Sequence, residues 1–279
     1  MRVFGLPDRA YDLQRAIRAF VEGTIIPAED GTLARNVDRL DEVCAELRRK
    51  ARAAGFFAPD LWDQWQGSRF GWQVRHLVLE EAGRSPLGAG ALHCAPPDMP
   101  NIDLLAAIAN PEQRQRYLQP LLAAEARSCF AMTEPAPGAG SDPSMLKTTA
   151  RQAGHKWVVN GHKWFISGAI GARFAIVIAA TEFGPTMFIV ESTNPGWRIQ
   201  RSLHSLDSHQ LGGHAEICLV DCIVDDECRL GETGRALLYA QMRLEPARLA
   251  HCMRMVGRAQ RVTELAQQYL VRRRGSDTV

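Results

Sequence analysis

The chain has 279 residues, of which 46% are hydrophobic and 23% charged, and a formal net charge of +2. That is room for two ordinary domains and a buried core, with no strong field for attracting nucleic acid or a membrane surface. No run of about 18 apolar residues suggests a membrane span, and the opening Met-Arg-Val-Phe-Gly-Leu-Pro-Asp lacks a secretory signal, so a cytoplasmic protein is expected.

The first part reads as helical. Leu13, Ile17, Phe20 and Val21 recur on one stripe, as do Val43, Leu47 and Ala51 before the helix stop at Gly55. Gly71 to Ala82 carries Val74, Leu77 and Val78, and Asn101 to Ala109 continues the pattern. The next helix, through Ala126, has Pro111 just inside its start, where a missing N–H is harmless.

From residue 127 the composition changes to β-branched runs and turn signals. Trp157 to Ile166 reads as two short runs joined by Asn160-Gly161, a hairpin signal. Strands follow from Phe174, from Thr186 and from Glu216, the last with a turn before Ile223-Val224. Without intervening helices this predicts an antiparallel β-domain. Cys218, Cys222 and Cys228 lie near His214, but their spacing is not that of a zinc site, and Cys218 and Cys222 are expected to share one strand face as small hydrophobes.

The helical period returns at Arg235. Leu249, Cys252, Met253, Val256, Ala259, Val262, Ala266, Tyr269 and Leu270 form one apolar stripe. Such a stripe needs partners, from further sequence or from another subunit. The expected organisation is α+β: an N-terminal helical domain over 1–126, a middle β-domain over 127–234, and an incomplete C-terminal helical domain over 235–279.

The stretch Phe130-Ala-Met-Thr-Glu-Pro-Ala-Pro-Gly-Ala-Gly-Ser-Asp142 carries the chemistry. Gly138 and Gly140 let backbone approach a ligand, and Thr133 and Ser141 supply hydroxyls. Taken alone, this is equally an ordinary Pro/Gly loop.

With Val159-Asn-Gly-His-Lys163-Trp-Phe-Ile-Ser-Gly168 it resembles the signature pair of the acyl-CoA dehydrogenases. Glu80-Glu-Ala-Gly-Arg-Ser85, Pro111 to Leu122 and Gly213-His-Ala-Glu216 resemble family blocks in the same order. Arg243-Leu-Glu-Pro-Ala-Arg248 with His251-Cys-Met-Arg254 is similar to the branch fused to kinase-like domains in animals, and to its bacterial relatives. The resemblance implies FAD, an acyl-CoA substrate, α,β-dehydrogenation with hydride passing to flavin N5, an electron-transfer flavoprotein as acceptor, and a homodimer or homotetramer. It assigns Phe130, Met132, Thr133, Gly140, Ser141, Phe165 and Ser167 to the flavin. Arg273 matches an arginine that reaches the FAD of a neighbouring subunit, although Ser276 stands where a phenylalanine is usual. Ser141, Glu245 and Arg248 would meet the substrate. Phe165 replaces the usual tryptophan, and Ala136 and Pro137 are extra residues in the loop.

No residue of the chain is a good general base. One seat used by some relatives is Ala247, and Glu245 lies about 200° around the helix from it. The base is therefore expected beyond Val279, with the C-terminal bundle truncated. Glu134 reads as a structural part of the loop, and a direct role for His209 or His214 is a minor alternative. The competing readings are a non-catalytic or partner-dependent flavin/CoA-binding homologue lacking the base, a flavin enzyme of the same fold with other chemistry, and a bare interaction module.

Overall fold

The structure is a computed structural model, and it describes residues 5–29, 39–64, 68, 70–205 and 211–273. The chain forms two compact units, one of residues 1–95 with 248–279 and one of residues 96–247.

The first unit contains the helices α1 (Asp8–Phe20), α2 (Leu40–Ala53) and α3 (Gly71–Gly83). It also holds the later part of a long helix that spans Ala236–Arg273. Short helices at Ala58–Gln64 and Gly88–Ala91, and a π-helical turn at Val21–Ile25, went unread in the sequence. The expected stripes on α1 and α2 do face inward: Ile17, Val21, Leu47 and Ala51 are buried.

The later part of the long helix behaves differently. Its apolar stripe points outward, with Leu249, Val262, Tyr269 and Leu270 all more than half exposed. Arg254 and Gly257 are buried instead. A Cβ added to Gly257 would lie 1.8 Å from the Glu80 carbonyl oxygen, and one added to Gly83 would lie 2.1 Å from that of Arg254. The two helices therefore touch backbone to backbone. Around that contact, the buried Arg84 pairs with Glu264 at 2.6 Å and Glu22 at 2.8 Å, and Arg261 pairs with Glu29 at 2.6 Å. Glu81, fully buried, accepts from Arg18 at 2.8 Å and from Gln14 at 2.9 Å.

The second unit is built on an eight-stranded sheet, in the order β6-β7-β3-β2-β4-β5-β8 with β1 beside β4. The strands are β1 (Ser128–Ala131), β2 (Thr149–Ala153), β3 (Lys156–Ser167), β4 (Phe174–Thr181), β5 (Gly184–Glu191), β6 (Trp197–Leu203), β7 (His214–Asp225) and β8 (Arg229–Leu230). Helix α4 (Asp98–Ile108) and the start of α5 (Ala236–Arg273) pack on one face, burying Leu105, Ile176, Ile189 and Ala240 together. Strand β4 is buried on both faces, which explains its unbroken apolar run. Asn110 and Gln113 form a reciprocal capping box around Pro111, so the helix start expected there is present.

Four sequence expectations need correction. The sheet is mixed: β1 runs parallel to β4, because β2 and β3 lie in the connection between them. Asn160-Gly161 does not turn the chain. β3 passes straight through it with a register shift, while the β2–β3 turn is Gly154-His155. The Asn160 side chain bonds across to Asp221, and a Cβ on Gly161 would lie 2.2 Å from Thr148 Oγ1. Long-range partners thus account for both residues. β7 likewise continues through Ile223-Val224, bulging at Asp221, where φ is +46°. That bulge puts Leu219 and Cys222 in the core cluster and leaves Cys218 half-buried outside it, so the two cysteines do not share a face.

The helix contact predicts that Gly257→Val destabilises the protein by about 3 kcal/mol or more through overpacking. Urea unfolding checks this, and an unchanged midpoint would contradict the close approach. The outward stripe predicts concentration-dependent self-association. Sedimentation should show it, and Val262→Glu with Leu265→Glu should weaken it; a stable monomer would count against it.

Candidate functional site: the Met132–Asp142 loop

Strand β1, paired with β4, leads into Met132 and Thr133, where the loop leaves. The Thr133 hydroxyl donates to the Trp164 carbonyl, and the Trp164 N–H donates to the Thr133 carbonyl at 3.0 Å. This ties the start of the loop to β3. Farther along, the Glu134 N–H donates to the Gly140 carbonyl at 3.2 Å and closes the loop on itself. A Cβ on Gly138 would sit 2.6 Å from Glu134 Oε2, so glycine is needed there for space. Gly140 is different: nothing lies within 4 Å of its added Cβ, but its φ is +53°. It is glycine for conformation, beside open space.

Beneath the loop lies a buried ion pair. Lys163 Nζ donates to Glu134 Oε1 at 2.9 Å, and also to the Ile178 carbonyl at 2.8 Å and the Met132 carbonyl at 3.1 Å. The Glu134 carboxylate accepts three backbone N–H groups, from Lys147 at 2.8 Å, Thr148 at 3.0 Å and Ala139 at 3.2 Å. Burial alone pushes the Glu134 carboxyl up, but Lys163 and the bonds from residues 147 and 148 outweigh it and hold it at about 2. Burial draws the Lys163 ammonium down to about 8 against the pull of Glu134. Both groups are charged at neutral pH. Glu134 is a structural pin with its oxygens occupied, and is unsuited to removing a substrate proton.

These bonds tie Met132, Thr133 and Gly140 to one another and to Lys163 and Trp164 of β3, with Phe130, Ser141 and Phe165 adjoining them along the chain. Phe165 is half exposed beside Trp164 and holds φ at +52°. A bulky side chain in that region is strained, and such strain concentrates at ligand sites. Ser167, near the end of β3, shares a hydrogen bond with His214 Nδ1 at 2.9 Å, which gives that histidine a local partner. Glu245 is exposed while Ala247 is half-buried, as their angular separation requires. Arg248 and Arg273 belong to the first unit, and both are exposed. His209 and Ser276 lie outside the described residues. Among the described residues no group of three or more His, Cys, Asp or Glu is placed to hold a metal.

Two buried cations near the loop were not singled out from the sequence. Lys163 lies within the motif block, but its burial follows from pairing with Glu134, which no local pattern signals. Arg243 was also missed; it sits one turn before Ala247 on the same helix face.

Comparison with known proteins decides the family. Residues 8–125 match the acyl-CoA dehydrogenase N-terminal domain, and residues 129–222 match the acyl-CoA dehydrogenase middle domain. The chain belongs to the acyl-CoA dehydrogenase family. It is 35% identical over 234 residues to the "Probable acyl-CoA dehydrogenase FadE2" of Mycobacterium tuberculosis, covering 80% of this chain and 56% of that one. It is 31% identical over 290 residues to acyl-CoA dehydrogenase family member 10 of Mus musculus, covering 96% of this chain and 27% of that one. A solved structure from Mycobacterium abscessus aligns with a TM-score of 0.86 at 29% identity, covering 99% of this chain and 72% of that one. The chain thus spans about half or less of these curated relatives.

The buried pair predicts a thermodynamic coupling. Glu134→Gln strands the Lys163 charge in a dry interior and should cost about 3–5 kcal/mol. The double variant Glu134→Gln, Lys163→Met should cost less than the sum of the two single variants. Urea unfolding of all four proteins measures this, and strict additivity would mean that the pair is not coupled.

Proposed function

We propose that this chain carries the flavin- and CoA-binding part of an FAD-dependent acyl-CoA dehydrogenase that introduces an α,β double bond into an acyl thioester. The carrying observation is the pinned loop beside open space, tied to Trp164, whose neighbour Phe165 is strained and half exposed. The exposed backbone at Gly140, the Ser141 hydroxyl and the Phe165 ring fit a flat, hydrogen-bonding, phosphate-bearing ligand such as FAD. Phe130, Met132, Thr133, Gly140, Ser141, Phe165 and Ser167 would hold it, with Arg273 reaching the FAD of a neighbouring subunit. When bound, FAD supplies the hydride acceptor at N5. Ser141, Glu245 and Arg248 would bind the acyl-CoA. The proposal extends to an electron-transfer flavoprotein as acceptor, a homodimer or homotetramer, and a cytoplasmic setting. No helix among the described residues is long and apolar enough to cross a membrane. The proposed domains are 1–126, 127–234 and 235–279, the first boundary supported by family matches that end at 125 and resume at 129.

The proton-abstracting carboxylate is proposed to lie outside these 279 residues. Ala247 has none to offer, and the Glu134 oxygens are engaged. The same observation favours the second reading, a partner-dependent homologue that binds flavin and CoA without turnover.

Titration of the purified chain with FAD should quench flavin fluorescence to saturation, and Gly140→Val should weaken binding about tenfold through backbone strain. A chain that takes up no FAD would sink the reading. Anaerobic butyryl-CoA should leave the bound flavin oxidised; bleaching would relocate the base within these residues.

A further inference from the structure

Arg243 lies near the start of α5, and it is a cation buried to 6% exposure. Its Nε donates to Asn101 Oδ1 at 2.6 Å. Asn101 Nδ2 donates to Ser128 Oγ at 2.8 Å, and the Ser128 hydroxyl donates to Asp98 Oδ1 at 2.7 Å. The Ser128 N–H reaches the same oxygen at 2.7 Å. Every bond in this chain points from cation to anion, through two neutral side chains. Each donor polarises the next, which fixes the Asn101 amide in one orientation.

The far side of the guanidinium meets an aromatic ring. Its carbon is 4.0 Å from the Phe130 ring centroid, a cation–π contact with little water to weaken it. Phe130 is the partly exposed last aromatic residue before the loop. Asp98 is the carboxylate that Arg243 feels, but two polar groups separate them and Ser128 engages its oxygen. Burial pushes the guanidinium down to about 9, with Cys129 and Asp98 opposing. An arginine keeps its proton at neutral pH, so the direction of that shift reports a buried charge that is poorly compensated. Lys163, the other buried cation of the loop, is neutralised in place by Glu134 at 2.9 Å.

We propose that Arg243 is a positioning residue of the flavin seat: its guanidinium holds the Phe130 ring, and its charge, only partly offset by the distant Asp98, favours the reduced, more negative state of the flavin bound there. The proposal rests on the flavin reading of the loop. A charge in a low-dielectric interior acts over longer distances than one in water, because little solvent or salt screens it. Asp98, at the other end of the hydrogen-bond chain, tempers the effect. The two residues should therefore pull the flavin potential in opposite directions.

The test is the midpoint potential of the FAD-loaded 279-residue chain, measured against a reference dye, with FAD content followed by absorbance. Arg243→Met should lower the reduced-to-oxidised ratio at fixed potential by about tenfold. Arg243→Lys, which keeps the charge and loses the fork, should recover most of that loss. Asp98→Asn preserves the acceptor for Ser128 and removes the anion, so it should raise the ratio. If Arg243→Met and Asp98→Asn shift the potential the same way, or neither shifts it, Arg243 is packing alone and the inference is overturned. Failure of lysine to improve on methionine overturns it as well. If Arg243→Met does not fold, Asp98→Asn decides: an unchanged or lowered potential rejects the inference. A wild-type chain without FAD uptake rejects the flavin reading and this inference together, whereas FAD uptake with unmoved potentials rejects this inference alone.

Discussion

The Lys163–Glu134 pair is the contact on which the candidate site depends. Taking either charge out of water alone costs several kcal/mol, so each is tolerable only while the other is in place. Their remaining hydrogen-bonding capacity is distributed over backbone on every side. Lys163 reaches the carbonyls of Met132 and Ile178, and Glu134 reaches the amides of residues 139, 147 and 148. The pair thus joins the end of β1, the middle of β3, β4 and both ends of the loop. A stretch rich in proline and glycine has few hydrogen bonds of its own to hold it. Here it is held from beneath, which leaves its outer surface at Gly140 and Ser141 free to meet a ligand.

The long helix α5 shows the opposite use of charge. In the first unit its inward face carries Arg254, Gly257 and Arg261, and its outward face carries the apolar stripe. Glycine permits the backbone contact, and arginines paired to glutamates surround it. Helices normally bury the apolar side, so the outward stripe is an exposed apolar surface suited to association. The relatives contain more chain than this one, with 28% of the aligned Mycobacterium abscessus structure lying outside the match.

Much of this was legible in the sequence, because local patterns carry it. The Asn110–Gln113 cap around Pro111, the inward stripes of α1 and α2 and the apolar run of β4 follow from neighbours a few residues apart. The loop was found because its composition is unusual and its blocks come in a set order. The misreadings share a different cause. Asn160-Gly161 has the composition of a turn, but its side chain and its missing Cβ serve Asp221 and Thr148, distant partners that no local pattern encodes. Cys218 and Cys222 have the spacing of one face, yet the bulge at Asp221 between them reverses the alternation. Arg243 was illegible for the same reason, since its neighbours Asn101, Ser128 and Phe130 come from α4 and β1.

Two buried cations near one loop, Lys163 and Arg243, therefore do different things. A cation beside its own carboxylate contributes little field at a distance, because the pair is a short dipole whose effect falls away quickly. Its value is mechanical: it fixes where the backbone lies. A cation whose counter-charge is two side chains away keeps most of its field, and it bears the cost of burial without full compensation. A methionine of similar length would fill the space behind Phe130 but would leave the buried Asn101 Oδ1 without its donor, so the guanidinium serves both packing and hydrogen bonding there. What sets Arg243 apart from Lys163 is the distance to its counter-charge. Its seat behind an aromatic ring at the mouth of the pinned loop points to an electrostatic role at the ligand.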